Sequence, residues 1–140
     1  MGVVIRLRQE HLDSMIRHAL EDAPIECCGL LASKDGVVQA VHRARNVEQS
    51  PYRFKVDPLE TKRLLDSIEE AGFDHIGFYH SHTGSEPRPS PTDIRMMGPW
   101  YGPPHIHFVV GVADREHPIV RVFQIANDEA MEHEYELTSE

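Results

Sequence analysis

Between residues 8 and 22 the apolar positions Leu12, Met15, Ile16, Ala19 and Leu20 recur at intervals of three and four, the spacing that lines one face of a helix. Pro24 ends that pattern. Two short apolar runs follow, Cys27 to Ser33 and Val37 to Val41, joined by Lys34, Asp35 and Gly36, and together they predict a hairpin. The stretch 43 to 55 is polar and carries Asn46, Ser50 and Pro51, which predicts a loop ending in a short strand at Tyr52 to Val56. Asp57 is placed to cap a second helix with Pro58 at its first position, where the missing N–H costs nothing. Leu64, Leu65, Ile68 and Ala71 form the expected buried stripe, and Gly72 the stop.

From His75 to His82 the chain is rich in aromatic residues and reads as a strand. Thr83 to Pro91 holds three prolines, so its backbone is restricted and its ordering loses little entropy. Ser90, Pro91 and Asp93 make a helix start that leads into Ile94, Arg95, Met96 and Met97. Three further strands are expected at His105 to Val112, Ile119 to Ile125 and Ala130 to Leu137. No repeat and no long linker interrupts the pattern, so residues 1–140 are expected to form one domain.

Composition narrows the class. With 40% hydrophobic and 26% charged residues the chain is of the soluble globular kind, and no run approaches the roughly 20 apolar residues of a membrane span. A formal charge of −9 opposes binding to nucleic acid, which needs clustered cations. The N-terminus lacks a basic region followed by an apolar run, and the two cysteines, Cys27 and Cys28, are too close in sequence for an unstrained disulfide; a cytoplasmic setting is expected. Cys28 is expected to be a small core group and Cys27 its partly exposed neighbour. A homodimer is the expected assembly if one forms.

Ten histidines change the picture more. His11, His18, His42, His75, His117 and His133 stand singly among polar residues and read as surface groups. The pairs His80/His82 and His105/His107 each share one face of a strand. A second metal at His105 and His107 is not favoured, because no carboxylate lies near them in sequence. His80 and His82, by contrast, are followed after seven residues by Ser90 and then by Asp93, and a loop of that length can bring the next helix over the strand end. Two imidazoles and one carboxylate, with a fourth position open, are the ligand set of a catalytic zinc. Such an ion lowers the pKa of its water to about 7 and polarises a carbonyl. Glu26, beside an apolar strand, is the candidate for moving the proton, and Ser90 for stabilising the oxyanion unless its hydroxyl serves only as a cap. Taken singly, each of these features is a common surface pair or helix cap; their combination carries the reading.

The string His80, Ser81, His82, seven residues, Ser90, two residues, Asp93 resembles the full signature of the JAMM/MPN+ metalloproteases in its short prokaryotic form. The segments 24–31 and 46–58 are similar to the parts of that family that carry its upstream glutamate and its loop into the second helix, so the resemblance covers nearly the whole chain. It implies an α/β (α+β) fold with a curved mixed β-sheet flanked by helices. It also implies one zinc on His80, His82 and Asp93, with Glu26 as general acid/base and Ser90 at the oxyanion. The implied activity is that of a deubiquitinase-like peptidase or isopeptidase, which cuts the amide bond after the C-terminal Gly-Gly of a ubiquitin-like or sulfur-carrier protein. The segment after Asp93 is short where eukaryotic members carry an insertion, which leaves no element for linkage selectivity. An extended tail is expected to add as a strand to an edge at residues 46 to 56, with Asn46 and Phe54 as its contacts. The alternatives are a non-catalytic MPN scaffold and a JAMM-fold hydrolase of another amide.

Overall fold

In the computed structural model, which describes residues 4–139, the elements run β1 (Val4–Leu7), α1 (Gln9–Asp22), β2 (Cys28–Lys34), β3 (Val37–Ala44), α2 (Pro58–Glu70), β4 (Asp74–His82), α3 (Pro91–Met97), β5 (Ile106–Gly111), β6 (Ile119–Ala126) and β7 (Glu129–Leu137). Local chemistry explains the helix starts that matter. The Asp57 carboxylate accepts from the N–H groups of Leu59 and Glu60, at 3.0 and 3.2 Å, and Pro58 needs no donor. Gly72, at φ +80°, turns the chain out of α2 in a conformation that a side chain would strain.

The sheet is mixed and curves until it closes, in the order β1, β3, β2, β4, β5, β6, β7. β4 and β5 are parallel, as are β1 and β7, while β2 is antiparallel to both β3 and β4. Strand alternation then divides the interior in two. Odd residues of β2 and β4, among them Leu31 and Tyr79, join a core with Met15 and Ala19 of α1. Even residues, among them Cys28, Leu30 and Phe78, pack with Ile68 of α2 and Met97 of α3. The curved sheet with helices on its faces is the α/β architecture that the sequence implied.

Several expectations are revised. Residues 52 to 56 form no strand: an isolated bridge pairs Asn46 with Val56, and the Asn46 Oδ1 takes the Lys55 N–H that a neighbouring strand would have used. β1 is an element that periodicity did not announce. Ala71 is exposed at the end of α2 and does not join its buried stripe. His11 and His18 are buried, at 5% and 4% exposure, instead of lying on the surface. Cys27 is as fully buried as Cys28, because it points into the α1 core, and burial pushes its thiol up to about 12. His18 is paired on both nitrogens: Nε2 meets the exposed Asp22 carboxylate at 3.1 Å and Nδ1 the buried Tyr79 hydroxyl at 2.6 Å. The Tyr79 ring reaches it by passing over Gly29, where a Cβ would sit 2.2 Å from the ring. No helix among the described residues is long and apolar enough to cross a membrane.

Candidate metal centre

β4 presents His80 and His82 on the face shared with α2 and α3, and α3 brings Asp93 to the same point. The Nε2 atoms of the two histidines are 3.1 Å apart, and Asp93 Oδ2 lies 3.0 Å from the first and 3.2 Å from the second. All three side chains are nearly sealed from solvent, at 2–3% exposure. Ligands at about 2.0–2.1 Å from a tetrahedral zinc stand roughly 3.3 Å from one another. The triangle of donor atoms therefore has the dimensions of one face of such a site.

Glu26 completes the cluster. Cys28 pairs with His80, so continuing that antiparallel register sets Glu26 opposite His82 on the same face. Its carboxylate lies with the two imidazoles in a group whose ligand atoms are all within 4.8 Å of one another. Oε1 of Glu26 is buried without a hydrogen-bond partner, an arrangement that needs a reason. A cation or a substrate water supplies that reason, and the residues present fit a zinc ion.

Electrostatics follow from the crowding. Burial pushes the Glu26 carboxyl up to about 8; positive charge at His82 works against the shift and Asp93 adds to it. For Asp93 burial acts upward too, yet the charge of His80 and hydrogen bonds from His80, His82 and the Ser90 backbone hold its carboxyl well below the usual range. Burial acts downward on His82, but its bonds to Asp93 and to the Glu86 carbonyl outweigh it and the net shift is up. Donation from His82 Nδ1 to Glu86 O, at 2.6 Å, fixes the ring with Nε2 toward the centre, the nitrogen a metal would take in exchange for its proton.

The rest of the frame is rigid. Ser90 N–H donates to Asp93 Oδ2 at 2.9 Å while Asp93 N–H donates to Ser90 Oγ at 3.0 Å, so cap and ligand are one unit. The loop before them is held by Pro87, which packs on Gly111; a Cβ there would lie 2.9 Å from the proline ring. Phe54 stacks on His80 with ring centroids 4.4 Å apart. The Asn46 amide is fully engaged inside the protein: Nδ2 donates to Glu26 O and Arg53 O, and Oδ1 accepts from Glu48 N and Lys55 N, all at 3.0–3.1 Å. The Asn46 and Phe54 side chains are both buried, at 6% and 2% exposure. His107 lies apart from the cluster, buried, with Nε2 donating to Tyr101 O at 2.9 Å, and His105 packs on His75. Glu86, Ser81 and the hold of Asn46 on Glu26 were not read from sequence.

The family model described as prokaryotic homologs of the JAB domain matches residues 8–126. A desampylase of Haloferax volcanii is 43% identical over 70% of this chain and 75% of its own length. The CysO-cysteine peptidase of Mycobacterium tuberculosis is 30% identical over 89% of this chain and 84% of its own. The solution structure of a Desulfitobacterium hafniense protein superposes with a TM-score of 0.86 at 30% identity, over 99% of this chain and 94% of that one.

Proposed function

This chain belongs to the prokaryotic homologs of the JAB domain and is a hydrolase of that family, and from that premise we propose that it is a zinc-dependent peptidase or isopeptidase acting after the C-terminal Gly-Gly of a ubiquitin-like or sulfur-carrier protein. The observation that carries the reading is the triangle of His80, His82 and Asp93 with the unpartnered Glu26 carboxylate beside it.

In this reading the three residues of the triangle hold one zinc ion per chain. When bound, the ion supplies Lewis acidity, polarising the scissile carbonyl and acidifying water. Glu26 takes the proton of the attacking water at its unpartnered oxygen and returns it to the leaving amine nitrogen. Ser90 accepts the helix N–H but keeps its own hydroxyl hydrogen, which it donates to the oxygen of the tetrahedral intermediate. The substrate tail lies in an apolar groove of about 740 Å³, where Phe54, Val56, Phe78, Met97, Trp100 and Tyr101 face it and Phe54 links groove to centre. The same reading puts the enzyme in the cytoplasm, a setting that keeps the free thiols of Cys27 and Cys28 reduced.

Two measurements test the function together. Purified protein should hold close to one zinc, and EDTA should abolish cleavage of a fusion joined through a carrier protein's Gly-Gly until zinc is restored. Glu26→Gln should retain the zinc and lose at least about a hundredfold in kcat. Undiminished cleavage by that variant, or a chain that stays metal-free at equilibrium with zinc, would sink the proposal.

A further inference from the structure

We propose that Ser81 and Asn46 form a clamp on the peptide unit between Glu26 and Cys27, and that the clamp, through the backbone, aims the Glu26 carboxylate. The inference rests on the catalytic role given to Glu26 above.

The carboxylate is not fixed by its own bonds. Oε1 has no partner, so its place depends on the backbone that carries it. That backbone is pinned at both polar ends of one peptide plane. The Glu26 carbonyl accepts from Asn46 Nδ2 at 3.0 Å, and the Cys27 N–H donates to Ser81 Oγ at 2.8 Å. Asn46 and Ser81 are themselves buried, at 6% and 0% exposure.

The bond to Ser81 is unusual in its place. Cys28 and His80 are the first pair of the β2–β4 ladder, and Ser81 N–H still donates to Cys27 O at 3.1 Å as a ladder would. The reciprocal bond goes to the side-chain hydroxyl instead of to the Ser81 carbonyl. The ladder thus ends at the residue between the two histidines. The hydroxyl takes over one bond there, and the chain is let go just where Glu26 must leave the sheet plane. Ser81 lies on the face opposite to the triangle, so it reaches no reacting atom; it is a positioning residue, and so is Asn46.

Ser81→Ala should lower kcat about ten- to hundredfold on the Gly-Gly fusion, with KM and zinc content near those of the parent, because a small misaim of a general base costs rate and not binding. The Cys27 amide should exchange its hydrogen faster in the variant. Ser81→Thr, which keeps the hydroxyl, should restore both. Asn46→Asp keeps the acceptor for Glu48 and Lys55 and removes the donor to Glu26, and should reproduce the kcat loss. If Ser81→Ala does not fold, Ser81→Thr against Ser81→Val compares the hydroxyl at nearly constant shape. A Ser81→Ala variant with unchanged kcat, or one that loses zinc in step with activity, overturns the clamp. Glu26→Gln run in parallel separates the failures: if it too keeps full activity, the function assigned to Glu26 has failed and the clamp falls with it.

Discussion

Ser90 answers two demands with one oxygen. Its lone pair caps α3 and the proposed mechanism gives its hydrogen to a substrate oxygen, so Ser90→Ala should show both losses: about 1 kcal/mol of stability in urea unfolding, and a kcat reduction of about a hundredfold or more. A stability loss with unchanged kcat would leave Ser90 as a cap alone. The residues His80, His82, Ser90 and Asp93 were legible in the sequence because each obeys a local rule, strand alternation for the first pair and helix capping for the second. Glu26 was legible only through its apolar surroundings and the family resemblance. The hold of Asn46 on its loop was not legible because its four partners come from residues 26, 48, 53 and 55, and no local pattern reveals which way an amide turns. His18 was misjudged for the same reason: the Tyr79 hydroxyl that accommodates it lies 61 positions away.

At the scale of elements, the centre depends on a loop that contributes no ligand. Pro87 seated on Gly111 fixes the 83–90 segment, and through it both the Glu86 carbonyl behind His82 and the start of α3. Gly111→Ala should push that proline away and weaken zinc about ten- to a hundredfold, as disturbance of groups behind a ligand commonly does; a competition titration with a chromophoric chelator reads it. The groove makes a separate prediction. Trp100 is 75% exposed on its wall, so Trp100→Ala should raise KM for a carrier fusion several-fold with little change in kcat, and an unaltered KM would move the tail elsewhere. Helices and central strands were readable from periodicity. The 52 to 56 segment was not, since its β-forming residues are drawn off by the Asn46 side chain, and neither was β1, which gains its place by lying between β3 and β7.

For the whole molecule, the buried histidines set the response to acid. Burial is the main cause that lowers His107 to about 4, with the charges of His80 and His105 acting the same way and its bond to the Tyr101 carbonyl opposing them. An unfolded histidine titrates near 6.5, so below that pH the unfolded chain takes the proton first. The stabilising contribution is complete above about pH 6.5, falls through the window down to about pH 4, and amounts to on the order of 3 kcal/mol. Urea unfolding of the EDTA-treated protein between pH 7 and pH 4.5 should show this decline, and His107→Gln should flatten it. His75, lowered to about 4 chiefly by burial, acts in the same direction.

The parallel contact between β1 and β7 closes the sheet, with Val4 opposite Glu134 and Leu7 opposite Leu137. Val4 and Leu137 stand at opposite ends of that contact. Tension applied outward at those two points loads the strands in shear, so that their slanted hydrogen bonds must yield together instead of unzipping in turn. Stretched this way in a force spectrometer, the protein should give way in a single high-force event, whereas a pull across β6 and β7 at Val122 and His133, the end of their pairing farthest from the turn, should peel the hairpin open at low force.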